Sequence, residues 1–128
     1  MIRALDWFKQ AEGDLNHAKS SSKLKHFDWA CFAAQQAAVK AVKALHQKFG
    51  RDAWGHSVAD LLEELRQDLN VGDELIDLGK ELDKHYIPAR YPNAHPSNAP
   101  TTLYVLSEAE RAVANAEKII EFVREQIF

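Results

Sequence analysis

The chain has a single cysteine, Cys31, in 128 residues. One thiol forbids an internal disulfide and cannot build a thiolate metal cluster. It lies among Ala30, Phe32 and Ala33 and reads as a small buried apolar residue. Proline is scarce and unevenly placed: all four prolines fall between Pro88 and Pro100. The glycines form no phosphate-cradling loop. No apolar run crosses a membrane, because the longest, Trp29 to Leu45, is interrupted by Gln35, Gln36, Lys40 and Lys43. No apolar leader opens the chain, so no signal peptide is expected. Sustained period-two alternation, internal repeats and low-complexity tracts are also missing. These absences set aside membrane insertion and secretion, and the expected location is cytoplasmic.

What remains is helix. A chain of this length is one domain, residues 1–128, with room for a real core. Leu5, Phe8, Ala11, Leu15 and Ala18 recur at three- and four-residue steps, so a first amphipathic helix runs to Ser20-Ser21-Ser22. Asp28 reads as the N-cap of a second helix over roughly Trp29 to Phe49. Its first half is apolar nearly all round, so other helices should surround it. At least one of Gln35 and Gln36 then needs a hydrogen-bond partner. Gly50 closes the helix. Ser57 caps a third, with Asp60 as a capping-box acid and Val58, Leu61, Leu62, Leu65 and Leu69 inward. After a turn at Asn70-Val71-Gly72, a fourth segment buries Leu75, Leu78 and Leu82. Ser107 to Glu110 reads as a capping box for the last helix. The expected fold is all-α: an antiparallel up-and-down bundle of four main helices, the third interrupted, with a long Pro-rich loop before the last.

That loop is where the chain departs from helix. Proline has no N–H and pushes its predecessor out of the α region. Loops of this length in a small domain are functional or disordered. This one carries Tyr86, Ile87, Tyr91 and Leu103, which favour burial, and Arg90 and His95, which can do chemistry. Arginine holds phosphate through parallel N–H bonds, and histidine exchanges protons near neutral pH. The two suffice for metal-free RNA cleavage, in which a ribose 2′-OH attacks its own phosphate. His95 would carry the proton and Arg90 would stabilise the phosphate charge. The alternative is that Arg90 pairs with a helix carboxylate and His95 merely sits in a loop.

Six histidines raise the question of metal, but no pair has His-x3-His spacing. His17, His26 and His46 read as surface residues, and His56 as ordering its loop. His85 with Asp83 is the weak remaining candidate, so no metal and no cofactor are expected. The net charge of −3 is unevenly spread. Residues 1–51 carry nine Lys/Arg against four Asp/Glu, and the rest of the chain is acidic. Such asymmetry suits a local basic surface, with Lys40 and Lys43 on one face of the second helix, or merely helix faces of differing sign. Trp7, Trp29, Trp54, Tyr86 and Tyr91 offer more aromatic surface than one small bundle needs, which favours a homodimer or larger assembly.

Three stretches carry a family resemblance. Gln35 to Ala44 resembles the second-helix signature of HEPN domains. Gly55-His56-Ser57-Val58 resembles their His-Ser-Leu helix start. Tyr86 to His95 resembles the Tyr-x-x-x-Arg-Tyr-Pro-Asp block of small prokaryotic members, and Arg90-x4-His95 fits the Arg-x4–6-His mark of the ribonuclease branches. The resemblance implies an all-α bundle, usually dimeric, with motifs paired across the dimer. It also implies a toxin–antitoxin setting with a minimal nucleotidyltransferase, and RNA or a nucleotide as ligand. Arg90, Tyr91, Lys40 and Lys43 would then bind it, at a cleft in the dimer interface. Two departures stand out: Tyr91 follows the arginine where ribonuclease branches often place Asn, and Ser97 stands where some toxins have tyrosine. The competing expectation is a non-catalytic interaction module for the nucleotidyltransferase.

Overall fold

A computed structural model describes residues 3–128. Its helices are α1 (Ala4–Lys23), α2 (Phe27–Lys48), α3 (Val58–Glu64), α4 (Asp73–Asp83), α5 (Pro100–Leu103) and α6 (Leu106–Ile127). Short 3-10 turns follow α3 at Leu65–Gln67 and occupy Pro92–Ala94 in the long loop. No strand occurs among the described residues.

The Ala-rich α2 is the centre, packed against α1, α6 and the α3–α4 arm. Ala30, Ala34, Ala37, Ala38, Ala41 and Ala44 are fully buried, and their small side chains let three neighbours approach closely. Larger residues fill the gaps between helices: Leu45, Leu61, Leu62, Leu65, Leu82, Ile119 and Ile120 are essentially inaccessible. Each such side chain contributes roughly 1.5–3 kcal/mol through its removal from water.

Helix α1 runs antiparallel to both neighbours. Its start meets the end of α2, where the Arg3 N–H donates to Gln47 Oε1, and Glu12 and Lys19 pair with Arg124 and Glu117 of α6. The third arm is interrupted as its sequence implies, and the interruption is a reversal. Helix α4 folds back on α3, so that Asp83, its last residue, reaches the first turn of α3. Gly79 makes this fit possible. A Cβ there would lie 3.0 Å from the backbone nitrogen of Ala59 and 3.1 Å from Cγ1 of Val58.

Several boundaries differ from the sequence reading. The serine run does not end α1: the helix continues to Lys23, with Ser21 buried. Leu5 is 61% exposed, because the buried stripe begins at Ala4 instead. Helix α2 starts at Phe27, so Asp28 is a buried first-turn residue rather than the N-cap. Ile76 and Gly79, with Leu82, form the inner face of α4, and Leu75 and Leu78 are half-buried. The last helix begins two residues early. The Val105 N–H donates to Glu108 Oε1, which leaves Ser107 inside the first turn. Ser57 does cap α3, accepting from the Asp60 N–H at 3.1 Å, and Gly50 takes the left-handed φ of +76° that closes α2. His46 is buried and not on the surface, with Nε2 2.9 Å from the Leu61 carbonyl.

Candidate functional site

The connection from α4 to α5 covers the end of the bundle where α1 turns into α2 and α6 begins. It is anchored just before Arg90. Tyr86 stacks between His56, at 4.7 Å, and Phe32, at 6.3 Å between ring centroids. Ala89 is fully buried. These contacts turn the chain so that Arg90 points back at the first turn of α2. There its Nη1 donates to Asp28 Oδ2 at 2.8 Å and to the Ala89 carbonyl at 3.1 Å. Its guanidinium lies 3.6 Å from the Trp29 ring centroid, a close cation–π stack. Arg90 thus does pair with a helix carboxylate. Only Nη1 is used, however: Nε and Nη2 have no hydrogen-bond partner among the described residues. One edge of the guanidinium remains available to an anion.

His95 is fixed on the same loop. Its Nε2 lies 2.7 Å from the Pro88 carbonyl, and a carbonyl can only accept. The neutral ring therefore carries hydrogen on Nε2 and its lone pair on Nδ1. Behind it stands Tyr104, only 9% exposed, whose ring is edge-on to His95 at 6.4 Å. The Tyr104 hydroxyl is 3.1 Å from His85 Nδ1. Burial pushes the Tyr104 phenol well above its ordinary value, helped by Cys31, Glu108 and Asp28. Burial also lowers His85, against the opposing pull of Glu108 and Glu81. Both stay neutral near pH 7 and form an uncharged support. Cys31 is pushed up to about 12, chiefly by burial, which makes it inert.

A second polar cluster lies deeper. Asp83 accepts hydrogen bonds from Ser57 Oγ (2.9 Å), the Val58 N–H (2.8 Å), the Ala59 N–H (3.1 Å) and Gln35 Nε2 (3.1 Å). Gln35 also donates to the His56 carbonyl at 2.7 Å and accepts from Gln36, so the buried amides are satisfied as the sequence required. Asp83 is committed to α3 and does not join His85, and no group of three metal-ligating side chains converges among the described residues.

The fold thus brings Arg90 and His95 together on one anchored loop, with Tyr91 54% exposed beside them. Within the chain it does not bring Lys40 or Lys43 to them. Lys40 pairs with Asp14, and Lys43 lies 5.7 Å from the Trp7 ring. Twelve residues separate Asp28 from Lys40 on α2, a rise of roughly 18 Å. Sequence reasoning missed the roles of Asp28 and Trp29. The signal was there: Asp28, Cys31 and Gln35 share one buried stripe, and a carboxylate on such a stripe calls for a cation.

An all-α bundle closed by a loop with Arg-x4-His, its arginine clamped on the central helix, defines a class. The HEPN domain model matches residues 4–126, and the chain belongs to that family. The structure of TT1696 from Thermus thermophilus is 50% identical, with a TM-score of 0.95 over 98% of both chains. That of ST0689, described as an archaeal HEPN homologue, is 37% identical, with a TM-score of 0.85 over the whole of both chains. A Methanocaldococcus jannaschii protein named "Putative toxin MJ1304" is 27% identical over 93% of this chain and 84% of its own length.

Proposed function

We propose that this HEPN protein is a toxin-type, metal-independent endoribonuclease acting as a homodimer, with Arg90 and His95 as its catalytic pair. The observation that carries the reading is the state of the two side chains. Arg90 is held by one nitrogen and offers its other edge, while His95 is locked in the tautomer that leaves Nδ1 as a base. In the reaction His95 Nδ1 takes the proton of a ribose 2′-OH. The 2′-oxygen bonds to the adjacent phosphorus, the P–O5′ bond breaks, and the 5′-oxygen leaves as an alcohol after receiving a proton. The products are a 2′,3′-cyclic phosphate and a 5′-hydroxyl. Arg90 neutralises charge on the phosphoryl oxygens throughout. The second His95 of a homodimer, in its protonated form, supplies the leaving-group proton. Tyr91 stacks on a base of the bound strand. The name of the Methanocaldococcus jannaschii relative supports the toxin role.

A second reading rests on a separate observation. Trp54 is 85% exposed beside Gly55, an arrangement suited to a protein partner such as a minimal nucleotidyltransferase. Expression separates the two. The ribonuclease reading expects growth arrest by the wild type and none by His95→Ala. If the wild type leaves growth unaffected, the toxin role fails and the interaction module stands. Arg90→Lys should weaken phosphate-bearing ligands several-fold, because a point charge replaces a planar fork.

A further inference from the structure

We infer that a groove beside this site, between the α1–α2 turn and the start of α6, is the track for the single-stranded RNA that flanks the cleaved phosphate. The inference rests on the ribonuclease reading but concerns different residues. The groove has a volume of about 490 Å3. Its rim carries Lys19, Lys23 and Lys25, and its floor is Phe27, Leu106 and Val113. Lys19 lies 3.5 Å from Glu117, whereas Lys23 and Lys25 make no ion pair among the described residues. The acidic residue lining the groove is Glu110.

Two features select the occupant. The first is charge: on a chain of net charge −3, unpaired lysines gathered at one groove make a local positive strip. The second is the apolar floor. Leu106 is 49% exposed and Phe27 is half-buried, so flat hydrophobic surface lies under the cations. A single strand offers phosphates to a basic rim and bare base faces to an apolar floor at once, which a duplex does not. The groove also lies at the same end of α2 as the Arg90 site. Phe27 is in its floor, and the next two residues, Asp28 and Trp29, hold Arg90. A strand running from the Arg90 phosphate toward Lys25 and Lys23 crosses this end of α2. The basic half of the sequence thus acts through the α1–α2 turn rather than through the middle of α2.

The test is binding of a 12-nucleotide single-stranded RNA whose 2′-hydroxyls are methylated, so that it cannot be cut, measured by fluorescence anisotropy across a salt series. Lys23→Glu/Lys25→Glu should weaken binding at least ten-fold. It should also lower the slope of log K against log salt by about 1.4, since each single-strand phosphate contact accounts for about 0.7. Lys80→Glu/Lys118→Glu makes the same charge change on exposed helix positions elsewhere and should have a much smaller effect. Thermal melts confirm that both variants fold. The inference is overturned if the two double variants bind alike, or if the wild type holds the RNA no tighter than an acidic peptide of equal charge, which would make the groove a protein-docking surface. Because the probe cannot be cleaved, these results stand apart from catalysis. A wild type that binds through Lys23 and Lys25 but cuts no unmodified RNA would refute the ribonuclease reading and leave the groove intact.

Discussion

Two aspartates at the same end of the bundle have opposite fates. Asp83 is saturated: four donors from α2 and the first turn of α3 meet its two oxygens. Asp28 holds one nitrogen of one arginine, and that arginine keeps an unused edge. A carboxylate with every lone pair occupied pins helices together and has nothing left to offer a ligand. A carboxylate that only orients a cation leaves the cation with spare capacity. By this reasoning Asp83 belongs to the architecture and Asp28 to the candidate site.

The comparison breaks first at Asp83. Asp83→Ala removes the acceptor of two backbone N–H groups, a hydroxyl and one N–H of the buried Gln35 amide, and should cost about 3–4 kcal/mol in urea unfolding. A loss below about 1 kcal/mol would mean the cluster is not structural. Gly79→Ala probes the same α3–α4 junction from the packing side. Forcing a methyl against Ala59 costs about 1–3 kcal/mol, partly offset by about 1 kcal/mol of helix propensity, so a net destabilisation is expected. Asp28→Asn should cost about 1–2 kcal/mol in the same assay, because Arg90 keeps its stack on Trp29, yet should lower RNA cleavage more than Asp83 variants that remain folded. Gly13→Ala, with nothing within 4 Å of the new methyl, should stabilise α1 by about 1 kcal/mol and leave RNA chemistry unchanged.

The support behind His95 gives a pH effect of known sign. Burial lowers His85 below 6.5, and Glu108, Glu81 and Lys84 are the charged groups that act on it. The unfolded chain therefore binds more protons as pH falls from about 6.5, and His85 makes the fold progressively less stable over that window. His85→Asn should flatten the slope of Tm against pH there. An unchanged slope would place acid sensitivity elsewhere.

The helical frame was legible because its signals are local and periodic. Alanine spacing identified α2 as the centre, and Ser57 announced the start of α3. The boundaries that slipped are those where tertiary contact outweighs propensity: Ser21 is buried within α1, and Val105 caps α6 through Glu108 although Ser107 looks the better cap. The turn between α3 and α4 was legible at Asn70-Val71-Gly72, but the close packing of the two helices was not, because Gly79 reads as an ordinary helix residue until its neighbour Ala59 is known. Of the candidate site, Arg90 and His95 were legible by type and spacing. Their anchors were not, because Asp28 is 62 residues from Arg90 and only the folded chain joins them. The surplus of lysine and arginine in residues 1–51 was legible, but not that Lys40 and Lys43 turn toward α1 within the chain.

The most direct measurement is cleavage of a single-stranded RNA by the purified chain in excess chelator, wild type beside His95→Ala, with product ends identified by mass spectrometry. The wild type should release fragments ending in a 2′,3′-cyclic phosphate. His95→Ala should bind the same RNA, melt at nearly the same temperature and cut at least a hundred-fold more slowly, the scale of one lost general base. Equal cutting by the two proteins would contradict the assignment of the site.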